Sequence, residues 1–204
     1  MQELWYNKKM FVIVGLGNPE KKFKNTPHNL GKEVLNFLQG TWKERYSFSN
    51  WRTTRKVKAQ ISTGRINRKK VALAKPLVFM NLSGESVALL LSYFKIKAQD
   101  LVVVHDDIDL PLGQIKIVKN HGAAGHKGVL SIFKAIGSKN FTRVRIGISP
   151  KTKPKNPEIF VLKQFGKAQQ KYIKEIIARC GKAIETIVKE GPQKAMNDFN
   201  KKSR

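Results

Sequence analysis

Apolar positions along the chain follow two rhythms. Phe11, Val12, Ile13 and Val14 form a short, largely β-branched run closed by Gly15, which predicts a buried central strand. Leu30, Val34, Leu35 and Leu38 recur at helical spacing up to Gly40, so residues 15–29 are a loop between a strand end and a helix start. Val57, Ala59 and Ile61 alternate as in a half-buried strand, and a turn over residues 64–70 leads into the apolar run 71–74 as a hairpin. Residues 81–83 carry capping chemistry for a helix with Val87, Leu90, Leu91 and Phe94 on its core face. A buried strand over 101–104 follows and ends in His105, Asp106, Asp107 and Asp109.

Pro111 and Gly113 predict a turn, Ile115 and Ile117 a short strand, residues 120–128 a glycine-bearing loop and 129–136 a helix. Val144, Ile146 and Ile148 make a further strand. Ile173, Ile176, Cys180, Ile184, Ile187 and Val188 lie on one face of a long helix, which Gly191 and Pro192 end before another begins. The Lys- and Pro-rich stretch 150–157 reads as a loop within one domain, because the segments on either side depend on each other's apolar faces. Strands alternating with helices, plus one hairpin, predict an α/β fold. It is a single globular domain over residues 1–204 whose twisted mixed β-sheet is flanked by helices, with a basic tail fraying from about residue 200.

Charge adds a partner to this picture. Forty Lys plus Arg against fourteen Asp plus Glu give +26 at neutral pH and a pI near 10.3, which favours RNA, DNA or an anionic membrane surface. The single Cys180 excludes an intramolecular disulfide and falls in an apolar stripe, predicting a buried thiol. The apolar run near the N-terminus is too short to span a bilayer and is closed by Asn18, Pro19 and Glu20, so a soluble cytoplasmic protein with no membrane contact is expected.

Candidate chemistry narrows quickly. Gly15-Leu16-Gly17-Asn18 opens as a dinucleotide fingerprint does, yet Glu20 stands where the third glycine belongs. There is no G-x-S-x-G elbow and no zinc-finger spacing. His105, Asp106, Asp107 and Asp109 at a strand end could hold Mg²⁺ for phosphodiester cleavage. The stronger reading of that stretch is a turn in which Asp109 accepts backbone N–H groups. Four polar groups remain on loops that leave strands or open helices: Asn18, His28 with Asn29, Asn81 and Asp106.

Their surroundings carry a resemblance. The stretches Val12-Ile13-Val14-Gly15-Leu16-Gly17-Asn18-Pro19 through Thr26-Pro27-His28-Asn29, Lys75-Pro76-Leu77-Val78-Phe79-Met80-Asn81-Leu82-Ser83-Gly84 and His105-Asp106-Asp107-Ile108-Asp109-Leu110-Pro111 are similar to bacterial-type peptidyl-tRNA hydrolases. So are Gly125-His126-Lys127-Gly128 and Arg143-Val144-Arg145-Ile146-Gly147-Ile148, in one order over about residues 11–165. The resemblance implies a monomeric α/β globule that hydrolyses the ester between a peptide and the 3′ ribose of tRNA, without metal or cofactor. It implies His28 as the catalytic histidine, Asp106 as its supporting aspartate, Asn18 and Asn81 as active-site asparagines, and His126 as a residue of the substrate channel. The chain departs from the pattern at Pro27, where arginine is common, at Phe23, where tyrosine is common, and at Lys127, where an asparagine helps hold substrate; Ala123 and Ala124 stand in a loop that is usually richer in glycine.

The residue types suit that reaction. An attacking water needs one base and the developing oxyanion needs donors. Neutral His28 can accept the water proton while Asp106 accepts from the other ring nitrogen and fixes the tautomer. Asn18 and Asn81 can donate and accept without adding charge, and which of them faces the oxyanion is open at this point. Phe23, Asn81, His126 and Lys127 are expected to hold substrate, with Lys116, Lys119, Lys134, Arg143 and Arg145 meeting acceptor-stem phosphates. Two other readings are a non-catalytic RNA-binding adaptor on the same fold and a metal-dependent nuclease built on the three aspartates.

Overall fold

The computed structural model describes residues 10–201. Within them the first apolar run forms β1 (Met10–Gly15). The other strands are β2 (Arg52–Thr54), β3 (Ala59–Ile66), β4 (Lys69–Pro76), β5 (Leu101–Pro111), β6 (Ile115–Lys119) and β7 (Thr142–Ser149). Their spatial order is β2-β3-β4-β1-β5-β7-β6, which puts β1 at the centre as its composition predicts. β4, β1, β5 and β7 run parallel, whereas β3 pairs antiparallel with β4, β2 with β3 and β6 with β7.

Successive side chains of β1 enter opposite cores. Phe11 and Ile13 pack with Leu35 and Trp42 of α1 (Leu30–Tyr46) and Ile184 of α5 (Lys167–Glu190). Val12 and Val14 pack with Val87 and Leu90 of α2 (Ser83–Phe94) and Val129 and Ile132 of α3 (Lys127–Ile136). A strand covered on both faces has no polar side, hence the unbroken apolar run. Two further helices, α4 (Pro157–Phe160) and α6 (Pro192–Phe199), complete the α/β arrangement, and Cys180 is buried with its thiol pushed up to about 12 by desolvation.

Several local expectations change. Helix α1 continues past Gly40 to Tyr46, because Trp42 extends the buried stripe and packing outweighs the weak propensity of one exposed glycine. The hairpin turn is only Asn67 and Arg68, both at positive φ, so Gly64 lies inside β3, and Val57 sits in a short turn before that strand. Neither Asn81 nor Ser83 caps α2: the N-cap position is Leu82, and the Ser83 hydroxyl donates to the Met80 carbonyl at 2.8 Å. Asp109 does not collect backbone donors. Its own N–H donates to Asp107 Oδ1 at 2.9 Å, while its carboxylate accepts from Lys153. At the tail, Asn200 is tied to both backbone groups of Ile117, and residues 202–204 lie outside the described residues.

The start of α1 is pressed onto the ends of β1 and β5. A Cβ on Gly31 would stand 2.3 Å from the Val104 carbonyl oxygen, and one on Gly15 would stand 2.3 Å from the Gly31 oxygen. Leu16 N–H donates to Val104 O and Lys32 N–H to Leu16 O, so the loop before α1 is fixed against β5. Gly31→Ala is therefore expected to cost about 1–3 kcal/mol, as overpacking does, and to lower the thermal midpoint by several degrees. An unchanged midpoint would show that the helix can lift off the sheet without loss.

Candidate active site

The parallel strands deliver their carboxyl ends to one side of the sheet, where an open cleft of about 770 Å³ lies. His28 reaches it from a single 3₁₀ turn, Pro27–Asn29, whose first residue has φ preset by the proline ring and whose His28 N–H donates to Val161 O at 3.0 Å. Asp106, on β5, is 2% exposed. His28 Nδ1 lies 3.0 Å from both of its carboxylate oxygens.

The same carboxylate has a second imidazole. His126 Nε2 is 3.1 Å from Asp106 Oδ1, and the two rings are 5.0 Å apart. His126 is also the N-cap of α3: its Nδ1 accepts from the backbone N–H groups of Gly128 and Val129 at 3.2 and 3.3 Å. A nitrogen that accepts carries no proton, so His126 holds its hydrogen on Nε2 and donates it to Asp106. Asp106 accepts from His28 Nδ1–H as well, which leaves the His28 Nε2 lone pair on the side away from the carboxylate. Burial would raise the Asp106 carboxyl, but the two imidazoles hold it well below the usual carboxylate range. Burial lowers His28, yet the charge and hydrogen bond of Asp106 outweigh it and leave the ring above its ordinary value.

Behind His126 stands His105, 1% exposed, its ring edge-on at 4.6 Å and its Nδ1 2.7 Å from the Asp106 carbonyl oxygen. Desolvation keeps it well below the ordinary imidazole value, so it adds no charge beside the clamp. Sequence reasoning offered it only as a possible Mg²⁺ ligand beside the three aspartates, whereas its Nδ1 faces the Asp106 carbonyl and its ring packs on His126.

Asn18 is 6% exposed and held on every side but one. Its N–H donates to Asn29 Oδ1 at 2.9 Å, Asn29 Nδ2 returns a bond to its carbonyl, and Met80 N–H donates to its Oδ1 at 2.9 Å. With Oδ1 committed, the N–H₂ end is the one presented to the cleft. Asn29, which the sequence reading named beside His28 without a role, and Met80, which it passed over, are thus positioning residues; the signal for Met80 was adjacency to Asn81. Asn81 itself is exposed on the cleft wall.

The basic candidates divide. Arg143 and Arg145 do not face solvent phosphates: they are 1% and 5% exposed. Arg145 is ion-paired with Asp107, and Arg143 donates to the carbonyls of His121 and Gly122. Both stand on β7 between β5 and β6, where the apparent polar face is covered. Arg143 instead anchors the loop 120–126, in which Ala124 is held at φ 49, a left-handed conformation that glycine takes more easily. Lys116 is exposed on β6, level with Arg145 and His105 through the ladders, two strands or about 10 Å from the catalytic strand. Lys119 is level with Thr142 and Val102, towards the opposite end of β5, and Lys134 is exposed on α3. Phe23, half-buried under Lys22, is not part of the cleft wall. Lys127 is, and it pairs with Glu158 at 2.9 Å.

The three aspartates diverge, towards the imidazoles, Arg145 and Lys153, so they form no shared carboxylate cage. The ligand atoms of His28, Asp106 and His126 do lie within 4.8 Å of one another. An ion there would have to displace the His126 proton that the α3 backbone keeps on Nε2.

Comparison with known proteins gives the family and the fold. The family pattern described as peptidyl-tRNA hydrolase matches residues 12–204. A peptidyl-tRNA hydrolase of Lachnoclostridium phytofermentans is 40% identical over 195 residues, covering 95% of this chain and 98% of its own. One from Bdellovibrio bacteriovorus is 39% identical over 195 residues, with 94% and 100% covered. The crystal structure of peptidyl-tRNA hydrolase from Acinetobacter baumannii superposes with a TM-score of 0.83 at 28% identity, covering 95% of each chain.

Proposed function

The chain belongs to the peptidyl-tRNA hydrolase family, and on that premise we propose that water activated at His28 hydrolyses the ester between a peptide, or an N-blocked aminoacyl group, and the 3′ ribose of tRNA. His28 Nε2 takes a proton from water as the oxygen attacks the ester carbonyl. The imidazolium formed is stabilised by Asp106, which stays ionised, and returns the proton to the departing 3′ oxygen of the ribose. The peptide is released as the carboxylic acid, which gives its remaining proton to solvent and leaves as the carboxylate. Asn18 Nδ2, the only free end of a fully anchored amide, supplies a donor to the carbonyl oxygen, while Asn81 at the wall contacts the peptide. Phe79 and Leu162 give the cleft exposed apolar surface for that peptide.

The observation that carries the reading is the Asp106 carboxylate shared by two imidazoles, one of them with its tautomer locked. A binding adaptor has no use for such an arrangement. Purified protein is expected to release the N-acetyl-aminoacyl group from N-acetyl-aminoacyl-tRNA equally well with and without a chelator. Chelator-sensitive strand scission, or binding without turnover, would overturn the reading.

The tRNA surface proposed here includes Lys116 and Lys127, both exposed. The Lys127–Glu158 pair is solvated on both sides and exchanges at little cost for a phosphate. Lys127→Asn is expected to reduce the slope of log K against log salt by about one phosphate unit, with kcat within a few-fold. If slope and KM both stay at wild-type values, Lys127 does not meet tRNA. No helix among the described residues is long and apolar enough to cross a membrane, and the reading has the enzyme act as a cytoplasmic monomer that recycles peptidyl-tRNA released from ribosomes.

A further inference from the structure

A second open cavity, of about 220 Å³, adjoins the catalytic cleft and shares Asn18 with it. Two lysines of its wall are buried: Lys32, in the first turn of α1, and Lys75, near the end of β4, are each 9% exposed. Lys32 Nζ donates to the Asn18 carbonyl at 3.0 Å. Lys75 Nζ donates to Asn36 Oδ1 at 2.6 Å and sits 3.8 Å above the Trp51 ring. Among the described residues neither ammonium is in an ion pair.

Each ammonium has three donors, and one is engaged here. Their acceptors, a carbonyl and an amide, are neutral. The rim adds Lys21 and Lys24, both exposed, against two carboxylates. Of these Glu20 is paired with Lys22 at 2.7 Å, and Glu33 accepts weakly from Asn36 at 3.4 Å. Four lysines therefore surround one cavity with two glutamates. Buried cations without a partner charge are unfavourable, which is why such groups are normally paired. Desolvation, reinforced at Lys32 by the charge of Lys75 and only partly offset at both by the charge of Glu33, pulls both ammoniums down to about 8, and a bound anion would reverse that.

We propose that this cavity is a phosphate subsite for a phosphodiester of the single-stranded 3′ end of tRNA, with Lys32 and Lys75 as its charged donors. The inference rests on the reading of the cleft as a peptidyl-tRNA esterase. Asn18 turns its N–H₂ towards the cleft and its carbonyl towards Lys32, so an anion on Lys32 is one residue away from the ester. The substrate carries phosphodiesters immediately upstream of that ester. Two separate ammoniums suit its two non-bridging oxygens, and lysine binds phosphate as a point charge. Inorganic phosphate offers the same chemistry from solution.

The test compares N-acetyl-aminoacyl-tRNA with N-acetyl-aminoacyl-adenosine, the same ester without upstream phosphates, in Lys32→Met and Lys75→Met. Lys75 touches neither Asn18 nor His28 in any bond described, so it serves as the control for disturbance of the catalytic loop. In both variants KM for the tRNA substrate is expected to rise about 10-fold more than KM for the adenosine ester, and the salt slope to fall by about one unit. Equal losses on both substrates, or no loss on tRNA, would overturn the subsite. Inorganic phosphate should compete against the tRNA substrate alone; equal inhibition of both esters would mean a free-phosphate site. Fluorescence anisotropy with uncharged tRNA gives a readout without turnover: Kd about 10-fold weaker in either variant supports the subsite and an equal Kd rejects it. A wild-type protein that binds tRNA with this lysine dependence yet releases neither ester would sink the esterase reading and leave the phosphate site standing.

Discussion

His28→Ala is expected to lower kcat for N-blocked aminoacyl-tRNA at least about 100-fold, the contribution of a positioned proton acceptor, while the Kd for tRNA changes little. No other imidazole beside Asp106 can take over. The only acceptor nitrogen of His126 is committed to Gly128 and Val129, and His105 is buried behind it. Single-turnover hydrolysis separates the chemical step from binding, and wild-type turnover in the alanine variant would remove His28 from the mechanism. The pH profile gives a second check. The base must be neutral, and the His28 ring lies above its ordinary value of 6.5 because Asp106 outweighs burial. Activity should therefore rise with pH through a midpoint above 6.5.

Asp106→Asn is expected to cost more than the loss of one charge, about 10³- to 10⁴-fold in kcat, as when an orienting carboxylate is neutralised behind a histidine base. Both imidazoles present N–H to this residue, whereas an asparagine offers one acceptor oxygen and one N–H₂. Both carboxylate oxygens lie 3.0 Å from His28 Nδ1, so whichever way the amide turns, its N–H₂ faces that ring's N–H and favours a change of tautomer. His126 is pinned by the α3 backbone, so His28 turns, places its proton on Nε2 and ceases to be a base. The midpoint of whatever activity remains should move to lower pH, since burial is then unopposed. A variant within ten-fold of wild type would show that the carboxylate does not govern the tautomer.

The same clamp has a stability signature. The Asp106 carboxyl is depressed in the folded state, so its contribution is present above the ordinary 3.8 and lost as pH falls. His28 is raised, so its contribution is full below 6.5 and lost as pH rises through the folded value. The difference in unfolding midpoint between wild type and Asp106→Asn should be greatest between those two values and shrink on either side.

What the amino-acid order determined by itself is the class of fold and the identity of the polar residues at strand ends. Phe11 to Val14 had to be an inner strand because an unbroken apolar run has no face fit for water, and Ile176, Cys180 and Ile184 had to share a helix face because of their spacing. Asn18, His28, Asn81 and Asp106 stood out because each follows or precedes such an element. Only the tertiary structure decided how those residues are shared. Asp106 meets His28 across 78 positions and His126 across 20, a distribution of one carboxylate over two rings that follows from strand register and from the docking of α3. Arg143 and Arg145 were expected to meet acceptor-stem phosphates, yet β7 is covered on both sides, and their charges face loop carbonyls and Asp107. Lys32 and Lys75 carried no periodic signal at all. Burial of apolar groups leaves a period in the sequence because it obeys the repeat of the helix or strand; the partner of a charge is chosen by packing between distant segments, and leaves none.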